Sequence, residues 1–171
     1  MAEPPPNPPP GYRIALFADQ DIVGHEDVIQ MWERDDAVPP EVSGRRVHEL
    51  LFVAIAPDGE PASVNTAYLE RKARLGMDLW FIRTFTARDH RMRNLGLMLL
   101  LRARDHLEQC FVDGTDTRAA GLGFELENTG LRSYGDATGY PVGATFIGAN
   151  QRGYPLWVRY FPGARVPGSA A

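Results

Sequence analysis

Thr84-Phe85-Thr86-Ala87-Arg88-Asp89-His90-Arg91-Met92-Arg93-Asn94-Leu95-Gly96-Leu97-Met98-Leu99-Leu100-Leu101 decides how the rest of this chain is read. It runs from a strand end through a basic polar loop into a strongly apolar helix. A junction of this kind presents the unpaired N–H groups of a helix's first turn, and the positive end of its dipole, to whatever lies over the loop. That is a seat for a phosphate or another anion. Arginines at a helix start oppose the dipole unless an anion is close by, and Arg88, Arg91 and Arg93 all fall here.

Outward from this junction the pattern is regular. The helix is expected from about residue 95 to 109, with Gly96, Leu100, Ala103 and Leu107 along one face and Arg104, Asp105 and Glu108 on the polar side. Upstream stand three strand-length runs, 48–56, 62–69 and 77–85, separated by Pro57-Asp58-Gly59-Glu60 and by a charged connection at 70–76. Short turns between such runs make an antiparallel meander. Before it come a strand at 12–17 and a helix at 26–34, the latter with Val28, Met31 and Trp32 at helical spacing. Residues 35–46 contain Pro39-Pro40 and Ser43-Gly44 and read as a loop with at most a short helical turn. Downstream, Gly121 to Asn128 reads as a strand. Because it follows a strand and a helix, it is expected to lie parallel to 77–85. A short helix or turn at 129–137 and two closing strands, 144–147 and 156–161, complete the order. The expected organisation is a proline-rich, mobile tail at 1–11, one domain at 12–165 and a loose end at 166–171.

Composition narrows the function. The chain has 171 residues, 44% hydrophobic and 23% charged, an ordinary globular balance. A net charge of −4 gives no basis for a nucleic-acid binder, which would usually show a basic face, so no nucleic-acid partner is expected. Cys110 is the only cysteine, which excludes an internal disulfide and a thiolate cluster. No apolar run reaches membrane-spanning length, and the N-terminus lacks a signal peptide's charge and apolar segment, so a cytoplasmic protein without membrane contact is expected. His25, His48, His90 and His106 show no metal-ligand spacing, and no metal is expected.

The order of elements and two local patterns resemble the GNAT superfamily of acyl-coenzyme A-dependent N-acyltransferases. The first pattern is the family's Gln/Arg-x-x-Gly-x-Gly/Ala loop, matched by Arg91-Met92-Arg93-Asn94-Leu95-Gly96, with Asn94 in the first glycine's place. Asparagine tolerates positive φ better than most residues. Arg88 and Thr86 also stand where the family often has proline and valine. The second pattern, Asn-x-x-Ala-x-x-Tyr followed by Gly-aromatic, is matched by Asn128-Thr129-Gly130-Leu131-Arg132-Ser133-Tyr134 and then Gly139-Tyr140. The resemblance implies an α/β (α+β) fold. Its central sheet is mixed, mostly antiparallel and flanked by helices, with a splayed parallel strand pair.

It also implies acyl-coenzyme A, acetyl-CoA in the first instance, as co-substrate without a metal. The acceptor is an amine of a small molecule or peptide. Phe85, Thr86, Arg91, Met92, Arg93, Asn94, Leu95, Gly96 and Asn128 become the coenzyme-binding candidates, with Gly96 allowing close approach of backbone and ligand. Tyr134 is the candidate general acid for the leaving thiolate, or an ordinary half-buried tyrosine. Glu125 and Glu127 share a strand face. They are either general bases, with pKa raised by burial, or solvent-facing carboxylates. Trp32, Asp35, Asp36 and Tyr154 are candidates for the acceptor side, although Trp32, like Trp80 and Trp157, also reads as a core aromatic. Cys110 follows the apolar pattern of its helix and reads as buried packing. A homodimer through the final strands is a further expectation. The alternative functions are a catalytically silent GNAT-like binding or scaffold domain, and the same fold used for other chemistry.

Overall fold

A nearly continuous apolar run before Pro57–Glu60 and an alternating run after it build the strands around which the fold forms. A computed structural model of the chain describes residues 6–125, 138–139, 142–150 and 152–165. Its elements are β1 (Arg13–Leu16), α1 (His25–Arg34), α2 (Pro40–Arg46), β2 (Leu50–Ile55), β3 (Pro61–Lys72), β4 (Met77–Thr86), α3 (Leu95–Val112), β5 (Gly121–Glu125), β6 (Thr138–Gly139), β7 (Ala144–Ala149) and β8 (Pro155–Tyr160). The strands follow the order β1-β2-β3-β4-β5-β8-β7-β6. β4 and β5 are parallel, with Trp80 opposite Leu122 and Phe81 opposite Gly123. The pairs β1–β2, β2–β3, β5–β8, β8–β7 and β7–β6 are antiparallel. This is the GNAT arrangement that the order of elements implied: a mixed, mostly antiparallel sheet with one parallel pair.

The chain divides into two compact units, Met1–Ala67 with Arg83–Ala103, and Tyr68–Ile82 with Arg104–Ala171. In the first, Val28, Met31 and Trp32 of α1 pack with Val38, Val47, Val53, Ile55, Val64 and Ala87. α1 begins where the Gly24 N–H donates to Asp27 Oδ2 at 2.7 Å, an acid in the first turn satisfying an otherwise unpaired donor. It ends in a Schellman turn. The Asp36 N–H donates to the Glu33 carbonyl at 3.1 Å, the Ala37 N–H to the Trp32 carbonyl at 2.9 Å, and Asp36 takes φ of 53°.

Residues 40–46, expected as loop, form the seven-residue helix α2, with Pro40 at its first position. Serine and glycine in its interior disfavour a helix, but Val42 and Val47 pack onto the α1 core and tertiary burial overrides propensity. The register of β2 on β3 slips between Leu50 and Phe52. Asn65, fully buried, repairs the slip: its Oδ1 accepts the Phe52 N–H at 2.9 Å and its Nδ2 donates to the Leu99 carbonyl at 2.9 Å.

In the second unit, Met77, Leu79 and Phe81 of β4 pack with Val158 of β8. Gly121 and Gly123 allow this closeness, because a Cβ on either would overlap the Arg159 carbonyl or the Phe81 ring. Cys110, expected to be buried, is only half-buried, with Sγ 3.7 Å from His106 Nε2. No helix among the described residues is long and apolar enough to cross a membrane.

Candidate functional site

The strand–loop–helix junction closes as its sequence suggests. β4 ends as the Ala87 N–H donates to the Ala62 carbonyl at 2.9 Å. Residues Arg88–Arg93 then wind into a 3-10 turn. Three contacts hold that turn. The Arg88 N–H donates to Asp35 Oδ2 at 2.6 Å, Tyr12 Oη and His90 Nδ1 share a hydrogen bond of 2.8 Å, and the Arg93 guanidinium lies 5.2 Å from the centre of the Tyr12 ring. Arg91 Nε donates to the Thr86 carbonyl at 3.4 Å.

Asn94 then adopts φ 55° and ψ 18°, the left-handed conformation in which a glycine is usually found. Its carbonyl accepts the Met98 N–H at 3.1 Å and starts α3. Buried Leu95 and Leu99 anchor the helix below, while Arg91, Arg93 and Asn94 are exposed above. The first turn of α3 carries no acid, whereas the first turns of α1 and α2 carry Glu26, Asp27 and Glu41. Its N-terminal N–H groups therefore have no carboxylate of their own first turn to answer the dipole.

Gly96 permits a close approach to β4's own side chains. A Cβ there would stand 3.1 Å from Thr86 Oγ1 and 3.4 Å from Thr84 Cγ2. Thr86 Oγ1 in turn shares a 2.8 Å hydrogen bond with Ser63 Oγ, which also lies 2.9 Å from the Phe85 carbonyl. The end of β4 is thus clamped between β3 and the first turn of α3. Phe85 packs its ring against the α1 core.

Below this clamp the first unit holds a cavity of about 130 Å³ lined by Trp32, Ala37, Val38, Arg46, Val64, Thr66, Arg83, Thr84 and Phe85. Trp32 and Thr66 are 1% and 2% exposed. Trp32 Nε1 and Thr66 Oγ1 have no hydrogen-bond partner among the described residues. A buried polar atom left unpaired costs about 1–3 kcal/mol. Arg83 Nη1 donates to Glu49 Oε2 at 3.1 Å. Of the four residues expected on the acceptor side, Trp32 lines this cavity and belongs to the core as well. Asp35 holds the Arg88 N–H and Asp36 closes α1. Tyr154 lies in the second unit, in the turn where its N–H donates to Asn150 Oδ1 at 2.9 Å.

Thr66, Arg46 and Arg83 were missed at the level of sequence. A hydroxyl on the apolar face shared by Val64, Thr66 and Tyr68 was the one available signal. Arg46 and Arg83 had none, since only the fold brings them to Trp32.

Glu125, at the end of β5, corrects an expectation. Burial alone would raise its carboxyl pKa, but hydrogen bonds from Lys72 and Asn150 and the lysine's charge outweigh burial and hold it below the ordinary value. Lys72 Nζ lies 2.8 Å from Glu125 Oε1 and 2.7 Å from Glu70 Oε1, and Asn150 Nδ2 donates to Glu125 Oε2 at 3.0 Å. Burial lowers the pKa of Lys72, and its two carboxylate partners more than reverse this, raising it. A carboxylate held in this way lacks the raised pKa expected of a general base. Glu127, Asn128 and Tyr134 lie outside the described residues. Among the described residues, no three His, Cys, Asp or Glu side chains gather as metal ligands.

No protein-family model matches the chain, and no curated protein matches it. Solved structures do. An acetyltransferase of the GNAT family from Streptococcus pneumoniae superposes with a TM-score of 0.60 at 10% identity, over 88% of this chain and 99% of that one. A putative acetyltransferase from Salmonella typhimurium, yncA, solved with acetyl-CoA, gives 0.58 at 14% identity over 94% and 99%. AtaT complexed with acetyl-methionyl-tRNAfMet gives 0.53 at 10% identity over 87% and 94%. At such identities the likeness establishes a shared fold.

Proposed function

We propose that this GNAT-folded chain transfers an acetyl or other short acyl group from acyl-coenzyme A to an amine, by direct attack of the neutral amine on the thioester. The observation that carries the reading is Asn94 at φ 55°. The residue that departs from the family's glycine takes the backbone shape for which glycine is usually required. It thereby turns the chain from the arginine-bearing 3-10 turn into a helix whose first turn contains no acid.

The residues fit an anionic coenzyme. The N–H groups of Leu95 and Gly96 and the positive end of α3 would bind the pyrophosphate, with Arg91, Met92, Arg93 and Asn94 as the loop around it. Phe85 and Thr86 would offer backbone groups to the pantetheine arm. The Ser63 hydroxyl satisfies one lone pair of the Phe85 carbonyl, and a carbonyl has two. Asn128 would hold the arm's amide. Bound acyl-CoA supplies an activated thioester. The protein's part is to orient the amine against it and to donate a proton, from the Tyr134 phenol, to the departing thiolate. The domain at 12–165 would work as one acyltransferase module.

Calorimetric titration with acetyl-CoA tests this directly. Saturable binding, lost on replacing Arg91 and Arg93 together by glutamate, is expected. No binding at millimolar acetyl-CoA refutes the reading. Binding without thiol release across a broad amine panel would instead favour a silent GNAT-like binding domain. Thiol release abolished by Tyr134→Phe, with acetyl-CoA affinity unchanged, supports the phenol as proton donor.

A further inference from the structure

The turn between β4 and α3 does not fix its own shape. Residues Arg88–Arg93 form a six-residue 3-10 turn, longer than the three or four residues at which such turns usually stop. Its flanks, Ala87 and Leu95, are buried, whereas Arg88, Asp89, Arg91, Arg93 and Asn94 are exposed. None of those five offers an apolar anchor, so the turn depends on contacts from elsewhere in the first unit.

Asp35 supplies one of them, and its own surroundings do not explain it. It is the C-cap of α1, at the negative end of the helix dipole, where a carboxylate is disfavoured. Its side chain is only 9% exposed, which adds a desolvation cost. Arg34 Nε stands 3.7 Å from Oδ1 on a side chain that is 58% exposed, and contributes little. The 2.6 Å bond from the Arg88 N–H to Oδ2 is the short, charge-assisted contact at this carboxylate. A residue placed against its own helix dipole and against burial marks a demand from outside the helix, and here that demand is the turn.

Tyr12, just before β1, supplies the others. Its phenol shares the 2.8 Å hydrogen bond with His90 Nδ1, and the two rings meet edge to face at 5.7 Å. The Arg93 guanidinium lies 5.2 Å from its ring centre. A cation–π contact of this kind engages the charge and occupies none of the guanidinium's hydrogen-bond donors. Tyr12 is itself fixed. Its N–H donates to the Pro9 carbonyl at 3.0 Å, and Gly11, at φ 81°, lies so near Pro57 that a Cβ would stand 2.9 Å from Cγ.

We infer that Asp35 and Tyr12 are positioning residues of the coenzyme seat. They act through Arg88, His90 and Arg93 to set the turn that brings Arg91, Arg93 and left-handed Asn94 to the first N–H groups of α3. The assignment rests on the acyl-coenzyme A reading and deepens it. The end of α1 and the residue before β1 become determinants of affinity for the coenzyme's pyrophosphate. Asp35, expected on the acceptor side, thus serves the acyl donor.

The test measures two affinities on the whole chain: acetyl-CoA by calorimetry, and S-acetylpantetheine, which lacks the pyrophosphate and the nucleotide, by NMR titration. Asp35→Ala and Tyr12→Leu should each weaken acetyl-CoA about tenfold, the scale of one charge-assisted hydrogen bond or of a neutral one with a cation–π contact. Affinity for acetylpantetheine should be unchanged. Asp35→Asn retains an acceptor oxygen and should recover most of the loss. Tyr12→Phe retains the ring and should lose about threefold, and Arg34→Gln should lose nothing. An equal loss toward both probes marks general damage to the structure and overturns the inference, as does no loss toward acetyl-CoA. The parent chain separates the two readings. If it binds no acetyl-CoA, the acyltransferase reading fails and this inference with it; if it binds and the Asp35 and Tyr12 variants bind equally well, this inference alone fails.

Discussion

Asn94 gives the sharpest perturbation. Its left-handed conformation costs an ordinary L-residue about 1–2 kcal/mol and asparagine less. The side chain is exposed, so replacing it removes little packing. Asn94→Ala should therefore lower unfolding free energy by about 1 kcal/mol, and Asn94→Val, stiff at χ1, by about 2 kcal/mol. Asn94→Gly relieves the conformational cost but frees the unfolded chain by about 0.5–1 kcal/mol, which leaves it near the parent. The order Gly ≈ Asn > Ala > Val is the prediction, read by urea unfolding monitored by circular dichroism. In a chain of this size 1 kcal/mol corresponds to roughly 2–4 °C in Tm. The same order should appear in acetyl-CoA affinity, because a loop that unwinds from the left-handed region misaligns the α3 N–H groups. If Ala and Val match the parent within a few tenths of a kcal/mol, Asn94 is not held at positive φ and the argument from loop shape collapses.

Asn65→Leu should destabilise the chain by about 2–3 kcal/mol, because it strands the buried Phe52 N–H at the β2 slip and removes the donor to Leu99. Asn65→Asp, which keeps the acceptor and loses the donor, should show a loss that grows as pH rises; equal stability of parent and Asn65→Leu would contradict the bridging role. The Lys72–Glu125 pair sets a pH dependence. The pKa of Glu125 is lowered on folding, so its contribution is present above the unfolded carboxylate range and disappears as pH falls through the folded value. Lys72 is raised above 10.5, so its contribution is complete below that value and lost as pH rises through the folded one. Glu125→Gln should flatten part of the acid limb of a stability–pH curve and, as the carboxylate is no poised base, leave the pH profile of turnover unchanged; a turnover profile losing its acidic limb would restore Glu125 as base.

How legible these features were depends on how local their causes are. The strand, the arginine-rich turn and the apolar helix follow from periodicity within one stretch, and the parallel β4–β5 pair follows from the handed crossover that the stretch imposes. Asn94 was readable because a single residue type answers a single backbone demand. α2 was not, since Ser43 and Gly44 speak against a helix locally and only the burial of Val42 and Val47 speaks for it. Glu125 misled for a related reason: burial was foreseeable from a strand face, whereas Lys72, fifty-three positions earlier, was not. The cavity is the extreme case. Trp32, Arg46, Thr66 and Arg83 come from four elements with no pattern linking them, and their relation exists only in the folded chain.

The end of β4 ties the cavity of the first unit to the proposed coenzyme seat. Thr84 and Phe85 line the cavity, and Thr84 and Thr86 meet Gly96 at the first turn of α3. Of these three consecutive residues Thr84 alone does both, lining the cavity and facing Gly96 at the helix end where a pyrophosphate would sit. The Ser63 hydroxyl, within hydrogen-bonding reach of both the Phe85 carbonyl and Thr86 Oγ1, holds them against β3. A thioester lying along this strand end would have its distance to the acceptor set by the strand itself. Effective molarities of well-oriented reactants reach about 10⁵–10⁸ M only where such geometry is held rigidly. Buried Ser63 would then be part of the alignment through the Phe85 carbonyl and Thr86, and its loss should separate binding from turnover: each substrate still binds, and the two no longer meet in register.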